Sequence, residues 1–96
     1  MLVLDLGLSN GSSLALVRLL RQRLPATEIV VLTMQESAVF ARAALEAGAI
    51  GFVIKHAADV ELAAGVRSAA RGAEYVSPRV VVRLSLQRPP ALDGAG

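Results

Sequence analysis

Three polar residues with different chemistry each come directly after an apolar run that is typical of a buried strand. They are Asp5, Thr33 and Lys55, and the runs before them are residues 1–4, 29–32 and 51–54. In an open parallel α/β sheet, ligands bind in the crevice beyond the carboxyl ends of the strands, where such residues meet. A carboxylate, a hydroxyl and an ammonium group gathered in that crevice predict chemistry on a phosphoryl group.

The segments between these runs have the apolar periodicity of helices. Helices are predicted over about residues 12–23, 37–47 and 59–71, and Gly48 and Gly72 stand where the last two of these helices end. Strands that alternate with helices of this length are joined by right-handed crossovers and pair in parallel. We therefore expect an α/β fold with a sheet of three parallel strands.

The chain ends in a further helix and a tail. Ser77 and Pro78 predict the start of a linker helix over residues 77–87, because serine is a favoured N-cap and proline fits the first helical position. Val80, Val82 and Leu84 also alternate as in a strand, so a strand stays open as the alternative. Residues 88–96 have the composition of a linker, and we expect them to be disordered.

The composition argues against several classes of function. The 96 residues are 54% hydrophobic but only 3% aromatic, so the chain offers no aromatic platform for stacking nucleic acid bases. The net charge of +2 is small and the arginines are dispersed, which does not indicate nucleic acid binding. Without cysteine there is no thiolate metal site. No apolar run approaches the roughly 18 residues of a membrane span, so we expect a cytoplasmic protein without membrane contact.

The order of these segments resembles the second half of a bacterial response-regulator receiver domain, over residues 1 to about 78. The matching motifs are VLDLGLSNG at residues 3–11, IVVLT at 29–33, ALEAGAIGFVIK at 44–55 and YVSP at 75–78. The Ser-Pro pair is similar to the subgroup whose receivers precede a LuxR-type helix-turn-helix. The resemblance implies a partial flavodoxin-like fold over residues 1–76, the third to fifth βα units, with the first two helices on one face of the sheet and the third on the other.

The resemblance also implies roles in a phosphorelay. The matched aspartate of the family accepts a phosphoryl group from a sensor histidine kinase, which makes Asp5 the expected acceptor. Lys55 and Thr33 are expected to contact phosphoryl oxygens. Phe52 matches an aromatic ring that moves inward as the hydroxyl residue shifts, so Phe52 and Thr33 are the expected switch pair. The carboxylate of Asp5 and the carbonyl group of Gly7 are the expected Mg²⁺ ligands.

The chain departs from the family pattern at the metal site. The acidic pair that supplies most charged ligands lies at the end of the first receiver strand, which has no counterpart in these 96 residues. Mg²⁺ prefers several hard oxygen ligands in octahedral geometry. We therefore expect Mg²⁺ to be weakly bound or absent and phosphorylation of this truncated domain to be impaired. Ser9 replaces the proline usual in that loop, and direct DNA binding is not expected because no helix-turn-helix follows residue 78.

Other interpretations compete with this one. Phosphotransferases of the haloacid dehalogenase type also order a strand-end Asp, a Thr or Ser, and a Lys. They need a second acid two residues after the nucleophile, where this chain has Gly7, so that interpretation ranks lower and we expect no enzyme. A module that binds a kinase or another response regulator without phosphorylation, a homodimer, a non-functional remnant and a true start upstream of Met1 all stay open.

Overall fold

The chain alternates strands and helices along its whole described length. The computed structural model describes residues 1–6 and 11–87. Its elements are β1 (Leu2–Leu6), α1 (Gly11–Arg23), β2 (Ile29–Thr33), α2 (Ala38–Ala47), β3 (Gly51–Ile54), a short 3-10 helix (Lys55–Ala57), α3 (Ala58–Ala70), β4 (Tyr75–Val76) and α4 (Pro78–Gln87). Gly7, Ser9 and the expected disordered tail lie outside the described residues. Residues 78–87 are helical, so the strand alternative for this segment is not observed.

The described strands form one parallel sheet in the order β1-β2-β3-β4. The fold class is therefore the expected one, but the expected number of three strands was too low. Tyr75 and Val76 pair with Gly51 and Phe52 as a fourth strand. This pairing continues at both ends, because the Tyr75 N–H donates to the Ile50 carbonyl oxygen at 3.0 Å and the Ser77 N–H to that of Phe52 at 2.9 Å. The short strand thus satisfies backbone groups along an otherwise free edge of β3.

Two apolar cores lie on opposite faces of this sheet. The larger contains Val17 of α1, alanines of α2, Val80 of α4 and alternate residues of the strands. The smaller contains Val30, Val53 and Ala69, with side chains of α3 and β4 packed around them. The first two helices therefore share one face and α3 covers the other, as expected. Because β2 and β3 are buried on both faces, their sequences are nearly continuous apolar runs.

Helix α2 packs closely because its buried positions are small. Ala38, Ala41, Ala44 and Ala47 recur every three residues and are all buried. The helix begins at the N-cap Ser37, whose hydroxyl accepts a hydrogen bond from the Phe40 N–H at 3.2 Å.

Helix α2 ends against α1 at Gly48, which has φ 124°. A Cβ atom added at Gly48 would lie 2.6 Å from Cγ and Cδ of Arg21, so only glycine fits between the two helices. The guanidinium group of Arg21 also donates hydrogen bonds to backbone carbonyl oxygens around this junction. They belong to Gly48, Leu24, Pro25 and Thr27.

Some apolar groups of this fold stay exposed. Strand β1 is at the edge of the sheet, and its Val3 is 39% exposed. Leu16 and Leu19 of α1 are exposed as well, and Val60 of α3 is the most exposed of the large apolar residues described. Among residues 1–6 and 11–87, no helix combines the length and apolar character that crossing a bilayer requires.

We expect the 96-residue chain on its own to self-associate as its concentration rises. The outer N–H and C=O groups of β1, together with Val3, form a template for pairing with another strand. Val3→Lys should reduce the association, because a lysine on an edge strand opposes pairing. Val39→Lys on α2, where the valine is 64% exposed, is the matched control and should leave it unchanged. Sedimentation velocity checks this, and a compact monomer of the unchanged chain at every concentration would contradict it.

Candidate functional site

The polar residues at the strand ends form a site built around one ion pair. Asp5 lies next to the last residue of β1, and Lys55 directly follows β3. The Lys55 ammonium nitrogen is 3.1 Å from Oδ2 of Asp5. The side chains are 37% exposed for Lys55 and 57% for Asp5, so water and small molecules reach them. An exposed pair of this kind contributes only about 0–1 kcal/mol to stability.

Thr33 lies on the strand between these two residues. It pairs with Leu6 of β1 and Ile54 of β3, next to Asp5 and Lys55 in sequence. Thr33 is fully buried, and its hydroxyl oxygen accepts a hydrogen bond from the Gln35 N–H at 3.1 Å. The structure therefore joins Asp5 and Lys55 directly, whereas the Thr33 hydroxyl is bonded within the loop that leaves β2.

The expected aromatic switch residue is part of the larger core. Phe52 is fully buried in β3, and its ring meets that of Phe40 edge-on with the ring centres 6.0 Å apart. Core packing accounts for this residue, and its role as a switch stays a prediction. Gly7, the second expected metal ligand, lies outside the described residues.

The described residues do not fit a dedicated Mg²⁺ site. Among them, no three side chains of His, Asp or Glu gather in a way that could hold a metal ion. Asp5 supplies a single carboxylate, and one of its oxygens already faces the Lys55 ammonium group. Mg²⁺ needs near-octahedral coordination by hard oxygens, which one paired carboxylate does not provide.

Comparison with known proteins identifies the family. Residues 1–67 match the response regulator receiver domain. The chain belongs to this family. It is 32% identical over 84 residues to the oxygen regulatory protein NreC of Staphylococcus carnosus, and 35% identical over 83 residues to the methanol utilization control regulatory protein MoxX of Paracoccus denitrificans. Each match covers 86% of this chain, with 39% of NreC and 37% of MoxX.

A solved structure supports the same fold. The two-component response regulator of the LuxR family from Aurantimonas sp. SI85-9A1 is 31% identical, with a TM-score of 0.80 over 90% of this chain and 61% of that structure. The expected family and its receiver-type α/β fold are therefore confirmed. The chain spans about two fifths of the length of the curated relatives it matches.

Sequence reasoning missed the role of Ser77 in this receiver domain. Ser77 was expected to cap α4, and its backbone carbonyl oxygen accepts hydrogen bonds from the N–H groups of Val80 and Val81. Its hydroxyl is fully buried and is used across the fold instead. It accepts a hydrogen bond from the Ile54 N–H at 2.9 Å and donates one to Oε1 of Glu61 at 2.5 Å. Ser77 thus holds the backbone that leads into Lys55 and connects it to α3.

Glu61 also affects the single tyrosine of the chain. Burial, followed by the negative charge of Glu61 and a hydrogen bond to it, raises the pKa of the Tyr75 phenol above its usual value. The ring of Tyr75 lies against α3 at Gly65, where an added Cβ would come within 3.4 Å of the ring atom Cδ1. Ser77, Glu61 and Tyr75 therefore form one connected cluster between α3 and the segment that follows it.

Glu36 is half-buried in a group of basic side chains. Its carboxylate accepts a hydrogen bond from Arg79 at 3.0 Å and lies 3.8 Å from Arg83. Nδ1 of His56 is 4.0 Å away. Glu36 follows Thr33 by three residues. The loop that begins at the candidate site therefore also contacts α4, through the ion pairs of Glu36 with Arg79 and Arg83.

We expect Ser77→Ala to lower the free energy of unfolding by about 1–3 kcal/mol, because the buried Ile54 N–H then has no acceptor. Ser85→Ala, at an exposed serine of α4, is the matched control and should change the stability little. Urea unfolding followed by circular dichroism gives both values. Equal stabilities of the two variants would show that the Ser77 hydroxyl is not needed for the fold.

The pKa of Tyr75 can be measured directly, because the chain has one tyrosine and no tryptophan. Absorbance near the tyrosinate band should show ionisation at a pH above the ordinary value of about 10. Glu61→Gln should lower this pKa only in part, since burial is the larger cause. A raised folded-state pKa means that the contribution of Tyr75 to stability is present below pH 10 and is lost as the pH rises through the folded value. An ordinary Tyr75 pKa in the unchanged chain would contradict the partly buried position of the phenol beside Glu61.

Proposed function

We propose that Asp5 is the phosphoacceptor of this receiver domain in two-component signal transduction. The observation that supports the proposal is the contact of 3.1 Å between Asp5 and Lys55, at the carboxyl edge of a parallel sheet and open to solvent. A carboxylate is a competent nucleophile toward phosphorus once a cation offsets the charge of the phosphoryl oxygens. Lys55 is the cation already beside the carboxylate.

The reaction is a transfer of one phosphoryl group. A carboxylate oxygen of Asp5 forms a bond to phosphorus as the bond between phosphorus and the donor breaks, and the leaving imidazole or carboxylate departs with the electron pair. The product is an aspartyl phosphate. The Lys55 ammonium then pairs with a phosphoryl oxygen. The Thr33 hydroxyl, whose oxygen accepts from the Gln35 amide, donates its own proton to another phosphoryl oxygen.

Receiver domains interact with histidine kinases or with other response regulators. For this chain we propose a sensor histidine kinase as the phosphodonor and a signalling role rather than an enzymatic one. We include no direct contact with DNA, because the basic residues are dispersed over several elements. Mg²⁺ has at most a weak role in the 96-residue chain on its own, since the described residues offer it a single paired carboxylate.

The second candidate is a module that binds a partner without phosphorylation. One observation favours it: the described part of the site has one carboxylate, and that carboxylate is already paired with Lys55. Binding of a full-length response regulator that survives Asp5→Asn would select this function. Binding that is lost with the carboxylate would select the phosphoacceptor.

We expect the isolated chain to be modified at Asp5 only slowly and to less than one equivalent by acetyl phosphate, with little dependence on Mg²⁺. Intact mass spectrometry measures the added phosphate, and fluorine NMR measures beryllofluoride binding at the same site. Asp5→Asn should abolish the modification, while Asp59→Asn, at an exposed aspartate of α3, should leave it unchanged. Modification that persists in Asp5→Asn would remove Asp5 as the acceptor. Rapid, complete and Mg²⁺-dependent modification would show that the chain binds the metal better than its described ligands suggest.

A further inference from the structure

The contact between Lys55 and Asp5 spans the width of β2. Asp5 pairs with Leu32, and Leu32 pairs with Val53. Lys55 is two residues beyond Val53, and two strand spacings add roughly 10 Å across the sheet. The Lys55 side chain reaches over this distance to bring its ammonium nitrogen within 3.1 Å of the Asp5 carboxylate. A side chain drawn out in this way has little slack, so the place of the nitrogen depends on the backbone that carries it.

That backbone changes direction at Lys55. Ile54 is extended, with φ −80° and ψ 131°, and Lys55 begins the short 3-10 helix that leads to α3. The Ala58 N–H donates to the Lys55 carbonyl oxygen and holds the helical side of the change. The strand side is held by a side chain, because the Ile54 N–H lies beyond the last residue pair of β3 and β4 and donates to the Ser77 hydroxyl oxygen at 2.9 Å. The direction of the Lys55 side chain therefore depends on this hydroxyl group.

The Ser77 hydroxyl is oriented in turn by Glu61. A serine hydroxyl rotates freely unless its single proton has an acceptor. Here the proton is donated to Oε1 of Glu61 at 2.5 Å, which leaves a lone pair for the Ile54 N–H. Ser77 is fully buried, so water does not compete for either bond. The carboxylate on α3 thus fixes the group that holds the end of β3.

We propose that Glu61 and Ser77 are positioning residues for Lys55, which hold the end of β3 so that the ammonium group stands beside Asp5. Both act through the backbone, since their hydrogen bonds run from α3 to the Ile54 N–H. A displacement of about 1 Å at a reacting group can cost about a hundredfold in rate, so loss of this chain of bonds has a functional effect. The effect on phosphoryl transfer rests on the function proposed above, whereas the placement of Lys55 does not.

The placement can be measured directly, because Lys55 is the only lysine of the chain. Isotopically labelled lysine therefore gives NMR signals from this one ammonium group. Asp5→Asn supplies the reference for Lys55 without its ion pair. Glu61→Leu, which removes the acceptor of the Ser77 proton, should shift the Nζ and Cε resonances most of the way to that reference.

Two conservative variants separate geometry from charge. Glu61→Gln keeps an oxygen that accepts from the Ser77 hydroxyl, and should leave the Lys55 signals as in the unchanged chain. Glu61→Asp keeps the charge but withdraws the carboxylate by one carbon–carbon bond, and should act like Glu61→Leu. It also supplies the result if Glu61→Leu fails to fold. Glu46→Leu, at an exposed glutamate of α2, is the matched control and should have no effect.

The pattern of these variants decides the inference. Lys55 signals that stay unchanged in both Glu61→Leu and Glu61→Asp overturn it. The reverse order, with Glu61→Gln shifted and Glu61→Asp unchanged, would mean that the charge of Glu61 acts at a distance, and this outcome overturns it as well.

Beryllofluoride binding, followed by fluorine NMR, tests the consequence for the phosphoryl site. Glu61→Asp should weaken the affinity about tenfold, and Glu61→Gln should restore it. A shifted Lys55 signal with an unchanged affinity would contradict the effect on the site. No binding by the unchanged chain would count against the function proposed for Asp5, and the lysine signals would still decide whether Glu61 and Ser77 position Lys55.

Discussion

The parallel register of β1, β2 and β3 determines which polar groups meet at the carboxyl edge of the sheet. Val30 and Val31 of β2 are both fully buried, one under α3 and the other under α1 and α2, and β3 follows the same pattern. Because side chains alternate along a strand, a slip of one residue would exchange the two buried sets. Burial on both faces therefore fixes the register, and the meeting of Asp5 with Lys55 is a consequence of it.

The ion pair between Asp5 and Lys55 is too weak to fix the register of the strands. Each fully buried Val, Ile or Phe contributes about 1.5–3 kcal/mol through burial, whereas an exposed ion pair contributes about 0–1 kcal/mol. The apolar core positions Asp5 and Lys55, and their side chains can exchange partners without loss of the fold. Ser77 also fixes the backbone at the end of β3. Its hydroxyl accepts a hydrogen bond from the Ile54 N–H, which lies beyond the last residue pair of β3 and β4. A site assembled in this way is rigid in its backbone and adaptable in its exposed side chains.

Elements with a strong local pattern could be predicted from the sequence, and those that depend on a distant partner could not. The apolar runs of the first three strands and Gly48 after α2 are local signals, so three parallel strands and the strand-end positions of Asp5, Thr33 and Lys55 followed from them. Strand β4 has two residues and no alternation, and it forms because β3 has a free edge. In the same way, Ser77 before a proline has the local pattern of a helix cap, but the buried Ile54 amide competes for its hydroxyl.

The cations described near Asp5 would offset only part of the charge of a phosphoryl group bound there. A phosphoryl group brings about −1.5 to −2 charges at neutral pH, and the Lys55 ammonium offsets one of them. The basic side chains on the neighbouring loop and helix do not add to this, because Arg79 and Arg83 are engaged with Glu36. Within the described residues, an aspartyl phosphate would therefore keep excess negative charge at the sheet edge. If Asp5 accepts a phosphoryl group as proposed, Lys55 is the described cation in contact with the acceptor, and the remaining negative charge would favour cationic groups supplied from outside these residues.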